Sequence, residues 1–487
     1  MAEFKPNEKQ QEFLDVNNCN VLVSASAGSG KTSTMIQKLI RIISSERTPI
    51  TSLLVVTYTN AAASEIKLKL FNEITNLINT TTDLKEKSFL QDQLNNINNA
   101  EIGTLHAICK KLIVKYFYKI EESPDFSLIS EKDEKYLLDT AIKNVFNSHI
   151  ISSDDSFFEL YDCYNSKRTD KHLKQMCLHL YYYKCSKIDY INWKNEFLNS
   201  SYNPNLNSNT ACNYVLEYYQ NLFLSFSSQL IQLRNQALNL SNEKYVNYLN
   251  CRLQFVDEIS KVSNFETAVK VINNLNLPDK PKKSDKASAN EIDFDEDISV
   301  FNKIFGDLLK KFKEDLTSTN LDDIKSSIVG SRANVIKLMD IVEEIDREYQ
   351  KLKRSKNSLD FNDLEWKMLK LLEDQEVKDT LKNQYKYIFV DEYQDINDKQ
   401  ESILRSLASQ DNYYMIGDVK QSIYAFRQSS PKIFIAKYNE FSSSKNSNRL
   451  INFNANYRSD KNILEFANSV FDNIITKDTI GNRIGKF

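Results

Sequence analysis

Ala25-Ser26-Ala27-Gly28-Ser29-Gly30-Lys31-Thr32 follows directly on the apolar run Val21-Leu22-Val23, and far along the chain Tyr387-Ile388-Phe389-Val390 runs straight into Asp391-Glu392. The first stretch reads as a strand, a loop and the start of a helix. In such a loop, backbone N–H groups cradle phosphates, Lys31 reaches the β- and γ-phosphates and the Thr32 hydroxyl can ligand Mg²⁺. The second stretch places two carboxylates at the carboxyl end of a buried strand, where Asp391 can hold the metal ion and Glu392 can activate water. Together they predict a split site for a nucleoside triphosphate. Residue 25 is Ala where the strict pattern has Gly, so the match is slightly off the general form. A Gly-rich turn without a ligand is the plainer alternative. Glycine usage argues against it, because the chain has only eight glycines and two of them are Gly28 and Gly30.

Around these two stretches the chain alternates strand and helix. Val21–Val23 reads as a strand, 33–44 as a helix, Leu53–Thr57 as a continuous apolar strand and 61–78 as a helix. The same rhythm returns with a helix over 360–374, a strand over 386–390, a helix over 397–408 and a strand over 413–416. This is the pattern of an α/β protein with a parallel sheet. Between the two blocks, from about 116 to 350, the sequence turns to long helical patterns rich in Asn, Lys, Tyr and Leu, with only Gly306 and Gly330 as glycines. The sheet is therefore expected to be interrupted by a helical insertion. Inside it, 278–299 has little apolar content and clustered charge, which predicts a mobile loop.

Composition limits what the chain can bind. The 487 residues are 41% hydrophobic and 26% charged with a net charge of −3, which describes an ordinary globular protein of several domains. No global basic field advertises a polyanion, so nucleic acid would need a local groove and stacking. The N-terminus lacks an apolar signal core and no long apolar run occurs, so the expectation is a cytoplasmic chain without a membrane segment. Seven scattered cysteines, never spaced Cys-x-x-Cys, fit reduced thiols. Cys163, His172, Cys177, His179 and Cys185 could in principle supply zinc ligands, but their spacing matches no finger or ribbon. The intervening Leu178, Leu180, Tyr181, Tyr182 and Tyr183 read instead as a packed helix.

Further motifs carry a resemblance. Asn7–Gln10, Ser24–Thr32, Val56–Lys67 (Val-Thr-Tyr-Thr-Asn-Ala-Ala-Ala-Ser-Glu-Ile-Lys), Gly103–Ala107 (Gly-Thr-Leu-His-Ala) and Leu359–Leu364 (Leu-Asp-Phe-Asn-Asp-Leu) come first. Val390–Asp395 (Val-Asp-Glu-Tyr-Gln-Asp), Gly417–Arg427 (Gly-Asp-Val-Lys-Gln-Ser-Ile-Tyr-Ala-Phe-Arg) and Asn456–Ser459 follow. Their identity and order resemble the UvrD/Rep-type superfamily 1A DNA helicases, and within these the wording is most similar to AddA-type subunits of AddAB helicase/nucleases, with RecB-type subunits next. The motifs cover 1–115 and 359–470. The insertion resembles AddA only loosely.

The resemblance implies a RecA-like P-loop NTPase sheet, domain 1A, formed by 1–115 and 351–460. It implies an all-helical domain 1B over 116–350 and the start of a second RecA-like domain, 2A, at 461–487. It implies ATP and Mg²⁺ as cofactors, with Ala25, Ser26, Ala27, Gly28, Ser29, Gly30, Lys31 and Thr32 around the phosphates and Thr32 and Asp391 on the metal. Gln10 would read the adenine edge and Tyr457 would stack on the base. Gln421 and Arg427 would sense the γ-phosphate, and Arg458 would neutralise charge in the transition state. Along single-stranded or duplex DNA, Tyr58, Tyr424 and Phe426 would stack on bases, and Thr57, Thr59, Asn60 and His106 would bond phosphates. Core packing of the three aromatics, and a structural hydrogen bond for His106, stay open as alternatives.

The family's Thr-x-His-x-x-Lys-Gly-Leu-Glu stretch, its late arginine and the C-terminal nuclease domain of AddA have no counterpart before Phe487. The expectation is therefore an N-terminal part of a longer 3′-to-5′ helicase/translocase in double-strand break repair, working with an AddB-like partner. The alternatives are a binding module without turnover and a nuclease-free UvrD-like helicase. A small ATPase or kinase that ignores DNA is disfavoured by the Asp-Glu-Tyr-Gln-Asp and Gln-Ser-Ile-Tyr segments.

Overall fold

The computed structural model describes residues 5–164, 169–282, 289–317, 320–423, 429–443 and 448–474. They fall into two compact units. The first comprises Met1–Asp154, Asp170–Ile188 and Ile341–Ala467; the second comprises Asp155–Thr169, Asp189–Asp340 and Asn468–Phe487.

The strands, all in the first unit, are β1 (Val21–Ala25), β2 (Leu53–Thr57), β3 (Glu101–Thr104), β4 (Ser127–Leu128), β5 (Ser358–Leu359), β6 (Tyr387–Val390), β7 (Tyr413–Gly417) and β8 (Arg449–Phe453). Six of them form one sheet in the order β3-β2-β6-β7-β1-β8, with every neighbouring pair parallel. β4 and β5 make a separate two-residue parallel ladder. The parallel sheet read from the sequence is thus present. Its apolar strands are buried on both faces, as parallel strands covered by crossover helices must be. Successive side chains alternate between the faces. Val21, Val23, Leu53, Val55, Phe389 and Ile416 enter one core, whereas Leu22, Leu54, Val56, Ile388, Val390 and Met415 enter the other.

Two sheet strands were not anticipated. β3 (Glu-Ile-Gly-Thr) and β8 (Arg-Leu-Ile-Asn-Phe) are the edge strands, and neither has a continuous apolar run. The first unit also takes in the helices Glu131–Ile151 and Lys171–Ser186, which lie within the stretch read as helical insertion. The helix expected over 360–374 is two: Phe361–Leu371 and Gln375–Gln384. The break is local, because the Asp374 side chain accepts the N–H groups of Glu376 and Val377 at 3.0 and 3.2 Å and starts the second helix.

The second unit's described elements are all helices, including Thr210–Leu224, Glu243–Lys261 and Ala289–Thr317. Phe223 packs edge-on against Phe255, with ring centroids 5.1 Å apart, and beside Phe312 at 5.2 Å. Residues 289–299, expected to belong to a loop, are instead the first turns of the helix Ala289–Thr317. Phe294, Ile298, Phe301 and Phe305 recur at three- and four-residue spacing and bury on one side, and the charged residues between them hid this apolar stripe. Among the described residues no helix is long and apolar enough to cross a membrane.

Candidate functional site

Because all six strands run the same way, their carboxyl ends share one edge of the sheet, the place where open α/β sheets bind ligands. The loop after β1 is shaped by two glycines in the left-handed region, Gly28 at φ 73° and Gly30 at φ 80°. A Cβ on Gly28 would stand 2.7 Å from Arg458 Cβ and 2.8 Å from Asn456 Oδ1. Ala25 is the last residue of β1 and its side chain is buried in the core, so a methyl fits where the strict pattern has glycine. The Lys31 ammonium and the Ser29 hydroxyl are buried without a hydrogen-bond partner among the described residues. Lys31 Nζ lies 3.5 Å from Glu392 Oε2. Buried donors of this kind are costly unless a ligand satisfies them, and these stand at a helix N-terminus, where an anion is favoured.

At the end of β6, the Asp391 N–H donates to Val56 O at 2.9 Å and the Asp391 carboxylate accepts the Glu392 N–H at 3.0 Å. Burial and the adjacent Glu392 carboxylate push Asp391 up to about 6. Burial and Glu392 likewise raise Asp395 to about 6. This is a pair of carboxylates short of positive charge, and a divalent cation fits that deficit. Glu392 itself sits at φ 52°, ψ 44°, a backbone conformation few side chains other than glycine adopt. Gln394, only 1% exposed, holds it there: Nε2 donates to Glu392 Oε2 at 2.8 Å, and Oε1 accepts the Asp418 N–H at 2.9 Å. Asp418 in turn accepts from Gln421 Nε2 at 2.7 Å. A hydrogen-bonded chain therefore joins Glu392 to Gln421 across the ends of β6 and β7. Gly417 has to be glycine, since a Cβ there would lie 2.4 Å from Gln394 Oε1.

The proposed base-binding residues gather on the other side of the phosphate loop. The Asn7 side chain caps the helix Glu8–Asp15, and Gln10 completes a capping box. Gln10 is buried: its carbonyl accepts the Asn7 N–H at 2.9 Å and its amide donates to Ser29 O at 3.0 Å. One lone pair and one N–H of that amide remain beyond these two bonds. The Tyr457 ring is 61% exposed, and its hydroxyl accepts from Asn7 Nδ2 at 2.7 Å. Arg458 is exposed nearby, with its N–H donated to Asn456 Oδ1 at 2.8 Å. Sequence reasoning gave Asn456 no role of its own. It is a clamp, because its Nδ2 also donates to Ala27 O at 2.8 Å while the Tyr457 N–H donates to Gly28 O at 2.8 Å.

The remaining predicted residues open onto a cleft of about 880 Å³ that also reaches Asp391 and Glu392. Thr57, Tyr58, Thr59, Asn60 and His106 all line it. Tyr58 is half-buried, Thr59 and Asn60 are exposed, and Thr59 caps the helix Asn60–Thr80 by accepting the Ala62 N–H at 3.1 Å. His106 Nε2 lies 3.1 Å from Glu365 Oε1, and its ring centroid is 4.8 Å from that of Phe361. Burial alone would raise Glu365. The bond to His106, the Lys399 ammonium at 3.2 Å and the Gln400 amide at 2.7 Å outweigh burial and hold it down to about 2. With Glu365 ionised, His106 Nε2 carries the hydrogen of that bond. Glu365 was not anticipated, because a single buried carboxylate inside an amphipathic helix has no sequence signature. Tyr424, Phe426 and Arg427 lie outside the described residues. Of the residues weighed for zinc, Cys177 is buried in the core while His179 lines the cleft.

Comparison with known proteins follows the same motifs. The chain matches the UvrD/REP helicase N-terminal domain over residues 6–258 and 225–442. It is 30% identical over 512 aligned residues to the AddA subunit of the ATP-dependent helicase/nuclease from Clostridium beijerinckii, covering 98% of this chain and 40% of that protein. It is 33% identical to the corresponding helicase/nuclease protein from Ligilactobacillus salivarius, covering 97% of this chain and 39% of that protein. The chain thus spans about 40% of the length of these relatives. A match across most of the sequence, on a parallel sheet with both halves of the nucleotide signature at one edge, establishes that the chain belongs to the UvrD/REP helicase N-terminal domain family.

Proposed function

We propose that this chain is the ATPase front of an AddA-like DNA helicase/translocase, a RecA-like domain 1A over 1–115 and 351–460 with a helical domain 1B between. The observation that carries the reading is the buried Lys31 ammonium, lacking a hydrogen-bond partner among the described residues and 3.5 Å from Glu392, beside the raised Asp391. Magnesium ATP supplies the transferable phosphoryl group and a cation that offsets its charge. Lys31 and the N–H groups of Ala27–Lys31 would bind the phosphates, and Thr32 and Asp391 would hold the metal. Glu392 would take the proton of the attacking water, with Gln394 fixing its carboxylate. Gln421 would register the γ-phosphate through the Asp418 bond. Gln10 and Tyr457 would bound the adenine, and Arg458 would meet the transition-state charge.

Single-stranded DNA would lie in the cleft beside Tyr58, Thr59, Asn60 and His106, close to the same carboxylates, so that hydrolysis at one end is felt at the other. The names of the relatives support an ATP-driven helicase that acts within a multi-subunit complex, with an AddB-like partner, in break repair. The 3′-to-5′ direction follows from the family resemblance. Arg458 is exposed and takes no part in the carboxylates' hydrogen-bond chain, so the 487-residue chain alone is expected to bind nucleotide more readily than it hydrolyses it. The test is ATP hydrolysis by this chain with and without single-stranded DNA, alongside fluorescent-nucleotide binding. Binding with slow turnover supports the reading. Absence of any nucleotide binding contradicts it.

A further inference from the structure

The cleft has a wall that none of the motifs describes. Helix Lys171–Ser186 buries Leu173, Cys177 and Tyr181, one residue every four, against the first unit. Tyr181 meets the Tyr349 ring edge-on at 6.0 Å, and Lys184 pairs with Asp346, so the helix is fixed in place. Its other side carries His179, Tyr182 and Tyr183, at the three- and four-residue spacing that puts side chains on one helical face, and all three line the cleft that holds Thr57–Asn60. Tyr182 and Tyr183 are 36% and 41% exposed. The outer face of an amphipathic helix is ordinarily charged, and here it presents aromatic rings to a cavity instead. Lys187 Nζ lies 4.7 Å from the Tyr183 ring centroid and adds positive charge beside that face.

The charges inside the cleft set how a strand can lie. Glu131, Glu134 and Asp360 line it together with Asp391 and Glu392. A phosphate deep in the cleft would meet like charge, whereas the amino groups of bases can donate to carboxylates and their faces can stack on tyrosine. We propose that His179, Tyr182 and Tyr183 form a base-stacking wall for single-stranded DNA. The strand lies with its bases turned into the cleft and its phosphates toward the exposed Thr59 and Asn60. The inference rests on the DNA-binding reading above and adds a second stacking surface, supplied by a helix from the long segment that interrupts the sheet.

The test uses the full 487-residue chain and an oligonucleotide carrying 5-iododeoxyuridine, read by binding anisotropy and by mapping photo-crosslinks. The expected result is a crosslink within 171–186 and a loss of affinity of about tenfold or more in the Tyr182→Ala/Tyr183→Ala double variant. The Tyr182→Phe/Tyr183→Phe variant, which keeps both ring faces and shares the fold, should bind within about twofold of the parent. Crosslinks confined to other segments, with an alanine double variant that binds like the parent, would overturn the wall and leave the DNA-binding reading standing. A parent chain that does not bind the oligonucleotide would overturn both.

Discussion

Asp391 shows at a single side chain how the site trades stability for chemistry. Its folded value of about 6 lies above its ordinary 3.8, so between these pH values the folded chain keeps a proton that the unfolded chain releases. Stability from this group is therefore present at low pH and is lost as pH rises through 6. Asp391→Asn should stabilise the chain at pH 8 by on the order of 1–3 kcal/mol, and the gain should shrink toward pH 4, measured by urea unfolding at both values. A gain that is independent of pH would show that burial of the charge is not the cause. Gln394 works in the opposite sense, since it satisfies Glu392 Oε2 and the buried Asp418 N–H at once. Gln394→Ala leaves that N–H orphaned and should cost about 1–3 kcal/mol in the same assay. An unchanged midpoint would mean that water replaces both bonds.

Among the elements, β8 matters most beyond its own length. It pairs with β1 along the strand that feeds the phosphate loop, and Phe453 O accepts the Ser26 N–H at 3.2 Å. Phe453 is buried against Phe13, with ring centroids 6.1 Å apart. Phe453→Ala should cost about 3–5 kcal/mol and loosen the loop, so that nucleotide affinity falls along with stability in calorimetry and binding titration. Retained affinity at the lower stability would separate the loop from its edge strand. β8 was not legible in the sequence, because Arg449 and Asn452 interrupt its apolar residues and an edge strand needs no continuous run. β1, β2, β6 and β7 were legible, since central parallel strands bury both faces and read as apolar blocks. The catalytic side chains follow those strand ends directly, so Lys31, Asp391 and Glu392 could be read from their positions. The residues that hold them, Asn456, Gln394 and Glu365, could not. Their roles arise from bonds between segments far apart in sequence, as between Asn456 and Ala27 or Glu365 and His106.

In the molecule as a whole, every strand of the large sheet ends at the edge where the nucleotide residues and the cleft meet. The phosphate loop, the carboxylates and the wall of the proposed DNA groove therefore share one rigid platform, and a change at Glu392 reaches Gln421 through two side chains. The long segment between β3 and β6 supplies the second unit and also returns the helix Lys171–Ser186 to this platform. An insertion of that kind can lie between strands without disturbing the sheet, because both of its ends leave and rejoin at surface loops. The central claim is that Lys31 at the end of β1 is the phosphate anchor of this platform. Titration of a fluorescent ATP analogue into the chain and its Lys31→Ala variant, both with Mg²⁺, tests it most directly. The account predicts saturable binding by the parent and affinity weakened by about 10- to 100-fold in the variant, with circular dichroism and unfolding midpoint preserved. Equal binding by the two proteins would contradict it.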